Sequence, residues 1–154
     1  MNFQRTKTSP AIVVLASDVT NANATPNTLA DVTGLSFSVD AGRTYWFRFS
    51  IDFTSAATTT GARFTVNGPA ATRIAYRMTQ AFAATSQTQT NNSAYQQPAS
   101  CSASVPYTTG NISIVEGFVT PSASGTLQLQ FASEVGSSAV VAKAGSILEW
   151  TRTL

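Results

Sequence analysis

The chain reads as an all-β protein, an antiparallel β-sandwich of jelly-roll-like form with about eight to ten short strands. Three observations lead there. No stretch of about ten or more residues carries a 3.6-residue apolar period between helix caps. Turn-forming residues recur roughly every 8 to 12 positions. The third is the stretch Arg43 to Phe53, where Tyr45, Phe47, Phe49, Ile51 and Phe53 take every second position and Trp46, Arg48, Ser50 and Asp52 the alternate ones. Side chains alternate faces along a strand, so one face is an apolar ladder and the other is mostly polar. At about 25 cal/mol per Å² of apolar surface buried, that ladder supplies the centre of a core.

In chain order, residues 1–10 are a polar arm carrying Arg5 and Lys7, and the single sandwich domain follows over 11–154. Ala11 to Ala16 is a short strand, and Ser17 to Thr28, rich in Asn and Thr with Pro26, is loop. Leu35, Phe37 and Val39 share one face of the next strand. Asp40-Ala41-Gly42 then turns into the Arg43 to Phe53 strand, and the two are expected to form a hairpin. Phe64 and Val66 mark a strand closed by Asn67-Gly68-Pro69, and Ile74, Tyr76 and Met78 line one face of another.

Ala81 to Ser104 is almost uncharged and reads as an extended surface loop or as partly strand. Asn111 to Thr120 is a strand apolar on both faces, with Ile112, Ile114 and Phe118 on one side and Val115 and Val119 on the other. Glu116-Gly117 within it suggests a bulge or a close approach of backbones. Leu127, Leu129 and Phe131 point inward from the next strand. Ala139 to Ala142, Lys143-Ala144-Gly145 and Ser146 to Arg152 are expected to close the fold as a hairpin.

Composition narrows the chemistry. The 154 residues suffice for one core, and charged residues make up only 10%, so the surface is neutral and polar, as suits packing into an assembly or work outside a cell. The net charge of +2 is a small excess, too sparse for a nucleic-acid groove, and no apolar run approaches the roughly 18 residues of a membrane span. Histidine is absent, which removes the commonest general base, and a single cysteine, Cys101, precludes an internal disulfide. Of the seven acids, Asp52 and Glu116 are weighed as a glycosidase pair against solvent-facing or salt-bridged carboxylates, and Asp18 and Asp31 as calcium ligands; neither has a supporting motif. No catalytic, cofactor or metal residues are assigned. Trp46, Tyr95, Tyr107 and Trp150 are read as ordinary packing, with a subunit interface or a sugar-stacking platform as alternatives.

The run Asp31-Val-Thr-Gly-Leu-Ser-Phe-Ser-Val-Asp-Ala-Gly-Arg-Thr-Tyr-Trp-Phe-Arg-Phe, then Thr58-Thr-Thr-Gly-Ala-Arg-Phe, Asn67-Gly-Pro and the closing Lys143-Ala-Gly-Ser-Ile-Leu-Glu-Trp-Thr-Arg, resembles a jelly-roll domain of structural proteins of tailed-bacteriophage virions. The resemblance implies a non-enzymatic virion protein, either a homotrimeric capsid decoration (cement) protein on the major capsid protein or a fibre-tip domain that binds a host receptor or glycan. A start at methionine without a long shaft favours the decoration protein, located on the capsid surface. The expected subunit or capsid contacts are Arg5, Lys7, Trp46, Arg48, Asp52, Tyr95 and Tyr107.

Overall fold

The computed structural model describes residues 9–153, so Arg5 and Lys7 of the expected arm lie outside the described residues. Eleven strands and no helix are formed there: β1 (Ala11–Val14), β2 (Val19–Asn21), β3 (Ala30–Val39), β4 (Tyr45–Ser55), β5 (Ala62–Asn67), β6 (Ala71–Ala83), β7 (Ser86–Asn92), β8 (Asn111–Pro121), β9 (Gly125–Ser133), β10 (Val140–Ala142) and β11 (Ile147–Arg152). They make two antiparallel sheets. The larger runs β1-β11-β4-β8-β6-β7, with β10 also paired to β4 and β2 paired to β10, and the smaller runs β3-β9-β5. The first strands pair with the last, β3 with β9 and β4 with β8, so the chain folds back on itself as nested antiparallel pairs.

The ladder of β4 is the centre of the core. Tyr45 retains 3% exposure and Phe47, Phe49, Ile51 and Phe53 none. Phe53 meets Phe64 of the smaller sheet at 5.0 Å between ring centroids, and Phe64 stacks on Phe131 at 5.8 Å. Burial of a large apolar side chain is worth about 1.5–3 kcal/mol, so this row holds the two sheets together.

Neither expected hairpin forms. Strand β3 lies in the opposite sheet from β4, because both edges of β4 are taken, one by β8 and the other by β11 and β10. The apolar faces of β3 and β4 meet across the core, with Phe37 edge-on to Tyr45 at 5.8 Å. The Asp40 to Arg43 turn therefore carries the chain between sheets. Tyr45 Oη accepts the Asp40 N–H at 3.0 Å, and Gly42, at φ 73°, donates its N–H to Pro121 O at 2.7 Å. At the C-terminal end β10 and β11 do not pair with each other. Both pair with β4, at Phe53 to Ser55 and at Tyr45 to Ser50, as one strand interrupted at Lys143 to Ser146. Strands β1 and β2 are interrupted opposite that point. There Leu15 exchanges backbone hydrogen bonds with Ser146 and Gly145, both 2.8 Å, and Asp18 accepts from Lys143 and from the Ala144 N–H. The Lys143 bond first, and then the Ala144 N–H, hold the Asp18 carboxyl below its usual range.

The polar segment 81–104 divides. Its first part completes β6 and forms the edge strand β7, and the remainder crosses to cap the open edge of β5. The Gln96 N–H donates to Val66 O and the Ser102 N–H to Ala62 O, each at 3.0 Å. An unpaired sheet edge invites aggregation, and this cover satisfies it within the chain. Arg63 fastens the cover. It is only 6% exposed and donates to Pro98 O at 2.6 Å and to Asn27 O at 2.9 Å, so it ties together two loops.

Replacing Arg63 with Ala strands those carbonyls and is expected to lower unfolding stability by about 2–4 kcal/mol in urea titrations. The exposed Arg73→Ala change on β6 should stay within about 0.5 kcal/mol. Equal effects of the two would contradict the clamp.

Candidate interaction face

Alternation sends Trp46, Arg48, Ser50 and Asp52 of β4 to the outside of the larger sheet, the side that the smaller sheet leaves uncovered. Strand β8 pairs with β4 so that Phe118 lies beside Trp46, Glu116 beside Arg48, Ile114 beside Ser50 and Ile112 beside Asp52. Its polarity is the reverse of what a two-layer fold leads one to expect. Asn111 and Ser113 are buried with Val115 and Val119, while Ile112 is 68% exposed and Phe118 is also exposed. Beyond β4, the same face carries Ile147 of β11 and Ile12 and Val14 of β1, all exposed. An exposed group of large apolar side chains on one sheet face is more informative than a buried one.

A charged row crosses the middle of this face. Glu149 of β11, Arg48 of β4, Glu116 of β8 and Arg77 of β6 are successive cross-strand partners, followed by Asn91 of β7. Arg77 donates from Nε and Nη2 to Glu116 Oε1 at 2.8 and 2.6 Å, and Arg48 Nε lies 3.9 Å from Glu116 Oε2. Opposite charges placed across neighbouring strands stabilise the pairing modestly. Next to the row, Gly117 provides the close approach expected at Glu116-Gly117. A Cβ there would sit 2.2 Å from Ala75 O, and the β4–β8 register runs through without a bulge.

At the far end of the face, Asp52, Thr79, Gln87, Tyr107, Ile112 and Ile114 line an open cleft of about 730 Å³. Asn111 braces its wall, accepting the Tyr107 N–H at 3.2 Å and donating to Tyr107 O at 2.6 Å. Asp52 and Glu116 lie on the same face but are four residues apart in register, about 14 Å along the strands, beyond the spacing of a glycosidase pair. Glu116 is moreover held by two arginines.

The four aromatics singled out in the sequence do not form one platform. Trp46 and Tyr107 belong to the outer face and its cleft, at opposite ends. Trp150 points the other way and stacks on Phe37 at 4.7 Å, and Tyr95 packs half-buried against the core. Asp18 and Asp31 are engaged separately, Asp31 accepting from Gln130 Nε2 at 2.7 Å, and no cluster of metal-ligating side chains gathers among the described residues. The outer-face role of Ile112, Ile114 and Phe118 and the pairing of Arg77 with Glu116 escaped the sequence reading. Their signal was the phase of β8, apolar on both sides.

No family model and no curated protein matches the chain. Among solved structures it is similar to the VP2 subviral particle of infectious bursal disease virus, at 12% sequence identity and a TM-score of 0.26. That alignment covers 97% of this chain and 43% of the other, so the chain spans less than half of that protein's length.

Cys101 supplies a chemical test of the surroundings of the edge cover. Burial pushes its thiol up to about 12. A thiol raised this way stays neutral in the folded chain, so native protein at pH 8 should resist iodoacetamide and react only after denaturation. Because the unfolded thiol ionises first, stability should fall as pH rises above the ordinary thiol range toward 12. Rapid alkylation of the native chain at pH 8 would contradict this placement.

Proposed function

We propose that the chain is a non-enzymatic structural subunit of a virion, a capsid decoration protein that sits on the outside of the major capsid shell and stabilises it. The observation that carries this reading is the uncovered face of the larger sheet, with five exposed large apolar side chains around a row of alternating charge. Such a face suits contact with another protein surface, since interface centres combine apolar anchors with arginine. The resemblance to phage jelly-roll proteins supports the same role. The arm with Arg5 and Lys7 is the segment assigned to the major capsid protein, and the sheet face is assigned to contact between subunits. This role calls for no cofactor, nucleic acid or membrane.

The cleft favours a second reading, a fibre-tip domain that binds a host glycan. Tyr107 beside an apolar floor, with Asp52, Thr79 and Gln87 at hand, offers a stacking surface and hydrogen-bonding groups suited to a sugar.

The two readings separate in one set of binding measurements. Purified chain should co-sediment with expanded capsids of its virus and raise their disruption temperature, and removal of Met1 to Ser9 should weaken attachment while leaving the circular-dichroism spectrum unchanged. Unchanged occupancy without the arm would remove it from the contact. Binding to host cells or a glycan array, lost in Tyr107→Ala, together with no capsid binding, would establish the second reading instead.

A further inference from the structure

We infer that the outer face of the larger sheet is a self-association surface on which two copies of this chain pack across a two-fold axis running along the strands between β4 and β8. The inference rests on the reading of that face as a subunit contact and names the occupant.

Charge is the first reason. Across the face the row reads Glu149, Arg48, Glu116, Arg77, alternating negative and positive with its midpoint between β4 and β8. Rotation about an axis parallel to the strands at that midpoint reverses the order of the columns. Arg77 of one copy then faces Glu149 of the other, and Arg48 faces Glu116, twice each. A two-fold axis perpendicular to the strands within the interface plane would set each charge against its own copy, which is repulsive. Among the described residues Glu149 makes no ion pair, and the Arg77 side chain is half exposed, so both retain capacity for a partner.

The neighbouring rows fit the same operation. Trp46 of one copy meets Phe118 of the other, Ser50 meets Ile114, and Ile147 meets Thr79, following the register of the pairs within one sheet. Two faces of a sandwich pack with strands nearly aligned, which keeps these central rows close to the axis.

Area and patch count complete the case. The six strands, between 4 and 13 residues long, at about 4.8 Å between strands and about 3.4 Å per residue give a face of roughly 850 Å², close to the share each partner contributes to a standard stable interface. Outside this face the exposed large apolar side chains among the described residues are Phe82, Val135 and Tyr107, the last at its border. A ring of three subunits needs two different complementary patches on each chain, whereas one patch meeting itself gives a two-fold contact, in place of the homotrimer that the resemblance implies.

Sedimentation velocity of the full chain over a range of concentrations tests this. The wild-type chain should form a dimer that weakens as salt is raised. Glu149→Lys and Arg77→Glu should each lower the dimer affinity by about ten-fold or more. An equimolar mixture of the two variants should recover a one-to-one dimer, because only the mixed pair restores both sets of opposite charges. Folding of each variant is checked by circular dichroism, and Phe118→Ser, which alters an exposed side chain, provides an independent dissociating variant. A wild-type monomer at every concentration, a trimer, or a dimer indifferent to the charge changes and to mixing would overturn the two-fold assignment. If the chain is monomeric yet Phe118→Ser abolishes capsid binding, the two-fold proposal fails while the structural-subunit reading stands.

Discussion

Strand β4 is hydrogen-bonded along both edges and presents five consecutive inward side chains that must be kept from water. Those two demands explain most of the architecture. With its edges filled by β8 and by the interrupted β10–β11 strand, β4 leaves no place for its sequence neighbour β3, which is displaced across the core and becomes part of the cover. The three-stranded sheet exists to face that ladder, contributing Phe37, Phe64, Leu127, Leu129 and Phe131. A small sheet can cover the ladder, but it leaves its own outer strand β5 open, and the Arg63-anchored segment closes that edge.

The ladder and the inward rows of β3, β6 and β9 were legible in the sequence because period two identifies a face directly. Pairing was not legible. Asp40-Ala41-Gly42 and Lys143-Ala144-Gly145 are turn-forming in composition, but composition does not say whether a turn joins neighbours in one sheet, bridges two sheets, or interrupts one long strand. The outcome depends on which edges of β4 are already occupied, a property of the whole chain. Segment 81–104 was open for a related reason: its Thr, Gln and Ser residues satisfy strand and loop equally, and only the presence of β8 beside β6 and of a bare edge at β5 decides between them.

The candidate face shows where sequence reasoning stops more sharply. Trp46, Arg48 and Asp52 were identified as outward from the phase of β4, and the structure places them there. In β8 the period-two signal supports two opposite assignments, since Ile112, Ile114 and Phe118 are larger than Val115 and Val119 and would by size alone be placed inside. In the structure Gly117 lies against the β6 backbone where no side chain fits, and the valines of the same phase enter the core. The isoleucines are then left outside. The alignment of Glu149, Arg48, Glu116 and Arg77 on one rung of neighbouring strands places four of the chain's sixteen charged residues in a single row on that apolar face. Apolar content and charge thus meet on the side of the larger sheet that the smaller sheet leaves uncovered.

Cryo-electron microscopy of the virion addresses this assignment most directly, by locating the chain and showing what lies against its larger sheet. Copies on the outside of the capsid shell, with Trp46, Arg48, Glu116 and Phe118 buried against another protein surface, are the predicted result. Density confined to a fibre tip, with that face open to solvent and the Tyr107 cleft directed outward, would contradict it.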